Sequence, residues 1–319
     1  MDTTKPSPGT ASTSPGPTAQ PALPDVSGAP APIVRGEPVK VAEGVFVIPD
    51  HRVPIVPNVG IVVGDRAALV IDTGLGPRNG TYVLDQARRL AAGRPLYLTI
   101  THFHPEHGFG AQAFKGAATI LYNRAQRDEL RRKGAAYLDL FTGLGPDIAA
   151  ELKNVELTEP DVTYVGVQAE IDLGGHTAVL RGWGPAHTRA DQTVLVDGRV
   201  LFTGDLTETR MFPIAPYFPP YDTDVDAGRW ITVLDQLLAL DPAVVVPGHG
   251  EITDTALIGD VRDYFHHVRG EVTRLRADGA TPDEAAAAIE KGAKARWNTW
   301  DNPEWIAFTV RAFYNTGKA

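Results

Sequence analysis

The segment THFHPEHGFG, residues 101–110, constrains this chain more than any other stretch. It follows directly on residues 96–100, an apolar run with the length of a buried strand. Side chains alternate with period two in extended chain, so His102 and His104 leave the strand end pointing the same way and offer two imidazoles to one cation. Glu106 and His107 lie further round the turn, within reach of a second cation. Three histidines and a glutamate this close together are costly to bury without a partner. A merely solvated loop would need neither the strand before it nor the tight Gly108 and Gly110 after it.

Three later residues repeat that context. His187 in AHTRADQ follows a strand ending near Gly182, Asp205 in LFTGDL follows a strand at 200–202, and His249 in VVVPGHG follows Val246. Each stands just past an apolar run and near Gly or Pro, as expected of site residues presented by a rigid sheet. By elimination His51, His176, His266 and His267 read as a loop residue, a strand residue and an exposed helix pair with no metal role. The chain has no cysteine, so a metal must be held by nitrogen and oxygen. Thiol nucleophiles, iron–sulfur clusters, Cys-zinc sites and disulfides are excluded with it.

Along the chain, residues 1–35 are rich in Pro, Ser, Thr, Ala and Gly without apolar period and read as a disordered lead. Short β-branched runs follow at 45–48, 59–63 and 67–71 and suggest a hairpin meander. A helix is expected at 78–92, further strands at 118–121, 162–165, 169–173, 176–182, 193–196 and 200–202, and helices at 123–133 and 147–152. A helix over 226–240 leads into a strand at 243–246, and the remainder reads as helix, with Thr281-Pro282-Asp283-Glu284 as a capped start. Two halves that each run strands then helices suggest an α/β (α+β) four-layer αββα sandwich. The expected organisation is a lead over 1–35, a catalytic domain over 36–255 and a helical segment over 256–319 packed on the same domain.

Lys and Arg number 30 against 39 Asp and Glu, a net charge of −9, which disfavours a nucleic-acid partner. Apolar runs such as 61–63, 67–71 and 243–246 fall far short of the roughly 18 residues that span a bilayer, so no membrane association is expected. The start MDTTKPSPGTASTSPG lacks the basic and apolar parts of a secretory signal. As it stands the chain reads as cytoplasmic, with an exported form open if a signal has been cut away.

On these residues the chain resembles the metallo-β-lactamase-fold hydrolase superfamily over about 41–251. The family's H-x-H-x-D-H is met by His102, His104, Glu106 and His107, and its later single ligands by His187, Asp205 and His249. The resemblance implies the αββα sandwich, here with a helical C-terminal extension, and a dimetal site along one edge. It implies that His102, His104 and His187 hold the first metal and Glu106, His107 and His249 the second, with Asp205 bridging both. It implies two divalent ions, zinc first, with iron or manganese as the alternatives. Asp72-Thr73-Gly74 matches the family's Asp-Thr-Gly, which supports the His loop from behind. Glu106 stands where the family usually has Asp, and its extra methylene moves the carboxylate by roughly one bond length against ligand distances of about 2 Å. Asp205 occupies the bridging place where antibiotic-degrading members carry Cys or Ser, which favours the broader hydrolase branches.

The implied chemistry is hydrolysis. Two ions about 3.5–4 Å apart would lower the pKa of a bridging water from about 15.7 toward roughly 7, and the hydroxide would attack a small ester, lactone, thioester or amide, β-lactams included. Glu106 is the candidate proton carrier beside the bridging Asp205. Tyr217 and Tyr221, in MFPIAPYFPPYDTD, are candidates to donate to a developing oxyanion or to line the pocket. Asp191, close to Arg189 and His187, is a candidate to orient an imidazole, its alternative being a surface ion pair. Trp297, Trp300 and Trp305 are expected to pack the C-terminal helix on the sandwich or on another subunit, a homo-oligomer being left open. The expected partner is a small-molecule substrate. The rival readings are an iron-dependent, sulfur-dioxygenase-like oxidoreductase of the same fold and a non-catalytic metal-binding protein.

Overall fold

The computed structural model describes residues 28–219 and 222–316. Strands β1 (Val39–Ala42), β2 (Val45–Ile48), β3 (Val59–Val63) and β4 (Ala68–Ile71) form the expected antiparallel meander, β1 being an addition at its edge. Helix α1 (Gly76–Ala91) then crosses over to β5 (Leu96–Thr99), parallel to β4. Strands β6 (Thr119–Asn123) and β7 (Val162–Tyr164) extend the sheet in parallel, with α2 (Pro105–Gly108), α3 (Arg124–Thr142) and α4 (Pro146–Glu151) in the connections. The second sheet runs antiparallel through β8 (Gln168–Asp172), β9 (Thr177–Gly184), β10 (Asp191–Val196) and β11 (Val200–Glu208). Helix α5 (Ala227–Leu238) carries the chain across to β12 (Val244–His249), parallel to β11. Helices α6 (Ala256–Ala277), α7 (Pro282–Arg296) and α8 (Ile306–Thr316) complete the described residues.

Period-two alternation assembles four layers. Val62 and Leu69, paired across β3 and β4, pack with Val194, Phe202 and Val246 between the sheets. One pleat step away, Ile61 and Val70 face outward onto Val83, Leu84 and Ala87 of α1. On the second sheet Leu201 and Val245 are register partners that face Trp230 and Leu234 of α5. Burying each such side chain is worth about 1.5–3 kcal/mol, so three apolar layers stabilise the sandwich. Asn123 opens α3 with a capping box closed by Gln126, and Thr281 opens α7 with one closed by Glu284, as its sequence foretells. Among the described residues no helix is long and apolar enough to cross a membrane.

The lead is shorter than expected. Val34 is 1% exposed, its N–H donates to Asn79 Oδ1 at 2.7 Å, and Asn79 Nδ2 donates to Pro32 O at 3.0 Å. A single β-branched side chain suffices to dock this stretch because a buried asparagine on α1 satisfies its backbone. The remainder of the expected lead, residues 1–27, lies outside the described residues.

Candidate metal centre

The end of β5 is held before any donor is placed. Gln126 Nε2 donates to Ile100 O at 2.9 Å and Thr101 O at 3.1 Å, and Gln192 Nε2 donates to Thr99 Oγ1 at 2.9 Å. Pro105 then starts the short α2, which carries Glu106 and His107 round the turn. Asp205 lies within β11, which runs on to Glu208 rather than ending at 202, and His249 ends β12 beside it. Gly248 permits that approach, since a Cβ there would meet Asp205 Oδ1 at 1.9 Å. Gly204 has φ +53° and brings β11 onto Thr101, a conformation and a contact that a side chain would oppose.

Two donor groups result, His102, His104, His187 and Asp205, and Glu106, His107, Asp205 and His249, each with its ligand atoms within 4.8 Å of one another. Asp205 Oδ2 lies 3.6 Å from both His102 Nε2 and His187 Nε2, while Oδ1 lies 3.2 Å from His107 Nε2 and 3.7 Å from His249 Nε2. One carboxylate thus turns one oxygen to each group. His104 enters by Nδ1, 3.2 Å from His187 Nε2.

The far nitrogens are fixed in turn. His107 Nδ1 donates to Asp72 Oδ2 at 2.9 Å, His187 Nδ1 to Ile214 O at 3.2 Å and His249 Nδ1 to Val56 O at 2.9 Å. Thr101 Oγ1 donates to Asp72 Oδ2 at 2.9 Å, so it accepts from His102 Nδ1 at 3.1 Å. In its neutral form each of these rings therefore keeps its Nε2 lone pair for the centre; for His107 burial opposes charge, but Asp205 and Asp72 raise the imidazole well above its usual range. Asp72 also accepts the Thr101 N–H at 2.7 Å, and Thr73 Oγ1 donates to His107 O at 2.9 Å, which is the support expected of Asp-Thr-Gly.

The donor chemistry fits divalent cations. His102 Nε2, His107 Nε2, Glu106 Oε2 and Asp205 Oδ1 are buried without hydrogen bonds. Such orphaned atoms cost about 1–3 kcal/mol each unless another partner satisfies them. Burial holds His102 and His104 well below the usual imidazole range and lowers His187 to about 4, which leaves all three as neutral donors. Burial raises the Glu106 carboxyl. Burial opposes charge on Asp205 as well, but the adjoining His107 holds it well below the carboxylate range.

The centre floors a cavity of about 480 Å³ lined by His104, Glu106, Asp205 and His249. Val53, Ile55, Leu140, Phe141, Ile214 and Phe218 supply an apolar wall. Two buried carboxylates that the sequence does not single out join the lining, Asp50 and Glu208. Glu208 is fully buried, its Oε2 has no hydrogen bond, and burial with the neighbouring Asp205 raises its carboxyl well above the usual range. Its signal was its place three residues after Asp205, hidden because the strand was expected to stop earlier. Asp50 Oδ2 accepts Gly250 N–H at 2.8 Å, and Asn58 Nδ2 donates to Pro247 O at 3.0 Å, so the 50–58 loop clamps the turn that carries His249.

Other expectations change. Tyr217 packs against the helical core, while its neighbours Pro216 and Phe218 line the cavity; Tyr221 lies outside the described residues. The phenol at the cavity is Tyr137 on α3. Asp191 touches no imidazole: its carboxylate accepts Thr188 N–H at 3.0 Å and Thr188 Oγ1–H at 2.6 Å, so it shapes the backbone of the His187 loop. Arg189 pairs with Asp224 at 3.5 Å rather than with Asp191. Trp297 and Trp300 pack on Tyr264, whereas Trp305 reaches the cavity wall with Asp301 and Asn302. His51, His176, His266 and His267 stand apart from both donor groups.

Comparison with known proteins agrees with this geometry. The model of the metallo-beta-lactamase superfamily matches residues 52–249. The linear primary-alkylsulfatase of Pseudomonas sp. (strain ATCC 19151) is 24% identical over 270 residues, covering 72% of this chain and 49% of that protein. The sec-alkylsulfatase Pisa1 from Pseudomonas sp. superposes with a TM-score of 0.69 at 16% identity, over 88% of this chain and 50% of that one. A metallo-beta-lactamase from Pontibacter korlensis superposes with a TM-score of 0.54 at 18% identity, over 72% of this chain and 98% of that one. The chain spans about half the length of the alkylsulfatases it matches. The family match covers more than half of the chain and contains every donor of the two groups, and the chain belongs to the metallo-beta-lactamase superfamily.

Proposed function

We propose that this chain hydrolyses a small ester-type substrate, a carboxylic ester, lactone, thioester or amide, with a dinuclear site. What carries the reading is one observation: two donor groups sharing Asp205 sit at the floor of an apolar-walled cavity, with His102 Nε2, His107 Nε2, Glu106 Oε2 and Asp205 Oδ1 buried and free of hydrogen bonds. His102, His104 and His187 would hold one ion and Glu106, His107 and His249 the other, with Asp205 common to both. A pair of divalent ions, zinc before iron or manganese, supplies Lewis acidity and acidifies a bound water to a pKa of about 7.

The chain's own residues do the rest. Val53, Ile55, Leu140 and Phe141 bind the apolar part of the substrate and exclude water. Glu106, with Oε2 free of hydrogen bonds, takes and returns the proton. Glu208 faces the same cavity and hydrogen-bonds the polar end of the substrate. A second reading, hydrolysis of alkyl sulfates, is favoured by the alkylsulfatase relative and by an apolar wall suited to an alkyl chain. Against it, Arg52 is the one cation lining the cavity among the described residues, and it is already engaged by Asp301 at 2.5 Å and Glu251 at 2.8 Å.

The deciding experiment is metal analysis of the purified protein coupled to a turnover screen over β-lactams, lactones, thioesters, phosphoesters and alkyl sulfates of graded chain length. Two bound ions with turnover of a carboxylic substrate is the expected result. Iron with oxygen consumption would move the chain to the oxidoreductase reading, and full loading with no turnover to a metal-binding protein.

A further inference from the structure

His104 differs from the other imidazoles of the centre. His102, His107, His187 and His249 each have the far ring nitrogen hydrogen-bonded, whereas His104 Nε2 is buried with no partner. Its ring is held by packing. Tyr137 stacks on it at 5.0 Å between centroids and 21° between planes, and Phe103 meets it edge-on at 5.0 Å.

Tyr137 is itself tethered. Its hydroxyl donates to Asp222 Oδ2 at 2.7 Å, and the same oxygen lies 2.7 Å from Lys133 Nζ. Lys133 also reaches Glu129 Oε1 at 2.7 Å and Asp224 Oδ2 at 2.9 Å, and it is 5% exposed. Glu129, Lys133 and Tyr137 stand at spacings of four on α3, so the helix presents all three on one face. Glu129 Oε1 meanwhile accepts the Arg189 N–H at 3.2 Å, two residues past His187. One buried ammonium therefore bears on His104 through Asp222 and Tyr137, and on the His187 loop through Glu129. His104 and His187 are neighbours, at 3.2 Å, within the first donor group. The second group is supported elsewhere, His107 by Asp72, which also reaches His102 through Thr101, and His249 by Val56.

A buried lysine ringed by carboxylates is a poor source of stability, since desolvating the charges consumes most of what their attraction returns. We propose that Lys133 is a positioning residue for the first metal, acting with Tyr137, Glu129 and Asp222 to set the angle between His104 and His187, an inference that rests on the two-metal reading above. Outer partners of metal-bound histidines commonly govern affinity by 10–100-fold.

The test titrates cobalt(II) into metal-free protein, reading stoichiometry, stepwise affinity against a competing chelator and the visible spectrum of each bound ion. Wild type is compared with Lys133→Met, Tyr137→Leu and Tyr137→Phe, with His187→Ala marking the first site and His249→Ala the second. Lys133→Met and Tyr137→Leu should weaken by about 10–100-fold the equivalent that His187→Ala abolishes, and leave the one that His249→Ala abolishes unchanged. Tyr137→Phe keeps the ring without the tether and should fall between them, which covers the case that Lys133→Met does not fold. Two equivalents at wild-type affinity and spectrum in folded Tyr137→Leu and Tyr137→Phe would overturn the positioning role alone. Equal weakening of both equivalents would overturn it too, as a general structural effect. A wild type that takes up no cobalt at these donors would overturn the two-metal reading itself.

Discussion

At the residue scale, Glu106 and Asp72 are the positions whose chemistry is most exposed to test. Glu106→Gln keeps shape but removes charge and base, so kcat should fall by at least about 10², within the range of general acid–base contributions. Glu106→Asp should retain activity with an altered metal dependence, because the shorter carboxylate shifts the second donor set. Zinc, manganese and iron(II) titrations that follow turnover and stoichiometry together would check both; three proteins that bind two ions and turn over alike would remove Glu106 from the site. Asp72→Asn opposes an amide N–H to the Nδ1–H of His107, where a carboxylate now accepts at 2.9 Å. The ring should lose its orientation and the second ion its affinity by 10–100-fold, measured by chelator competition. His176, paired with Asp197 at 2.6 Å, serves as the control, and His176→Ala should leave metal content unchanged.

At the element scale, the stretch at 28–35 and the three C-terminal helices are parts of the folded body. Val34→Ala removes a buried side chain that packs near α1, and a loss of about 1–2 kcal/mol is expected from the cavity and transfer terms, read from the denaturation midpoint at constant slope. An unchanged midpoint would mean that the docking of this stretch carries no stability. Ending the chain after residue 255 would leave Trp230, Leu234 and Leu237 facing water in place of Phe265, Ile306 and Phe313. Such a chain should show no cooperative melting transition by circular dichroism. The helical start at Thr281 was legible because a cap, a proline and a glutamate are local signals. The full length of β11 was not, because Gly204 and the following turn-like residues look like a loop until the neighbouring β12 pairs with them.

At the scale of the whole molecule, the centre ties the two sheets together. Its donors come from the end of β5 in one sheet and from β11, β12 and the β9–β10 loop in the other, so ions bound there would join both halves. Ions that bind the native state alone stabilise it by about 2.7 kcal/mol at a hundredfold excess over Kd. Calorimetry of chelator-treated protein, with and without added zinc, should therefore show Tm rising by roughly 5 °C or more on reloading. A Tm indifferent to zinc would show that the two sheets do not meet through the metal. The cavity wall is also a whole-molecule product: the Asp301 carbonyl accepts Phe212 N–H at 3.0 Å, and Trp305 near it lines the cavity together with Ile55 and Leu140.

What the sequence determined by itself is which histidines and carboxylates the fold would gather, and the layer order. Both rest on short-range patterns: period-two apolar runs select strands and faces, and a His-rich turn after a buried strand announces a metal loop. Tertiary structure alone decided which oxygen of Asp205 faces which imidazole, that Glu208 and Asp50 reach the cavity, that Tyr137 rather than Tyr217 stands beside the centre, and that Lys133 links His104 to His187. Those relations join residues tens to hundreds of positions apart, through hydrogen bonds and ring contacts whose partners carry no mark in their own neighbourhoods. A buried lysine on α3 and a glutamate at a strand end look like ordinary polar residues until packing removes water from around them, and only then does their need for specific partners define what they do.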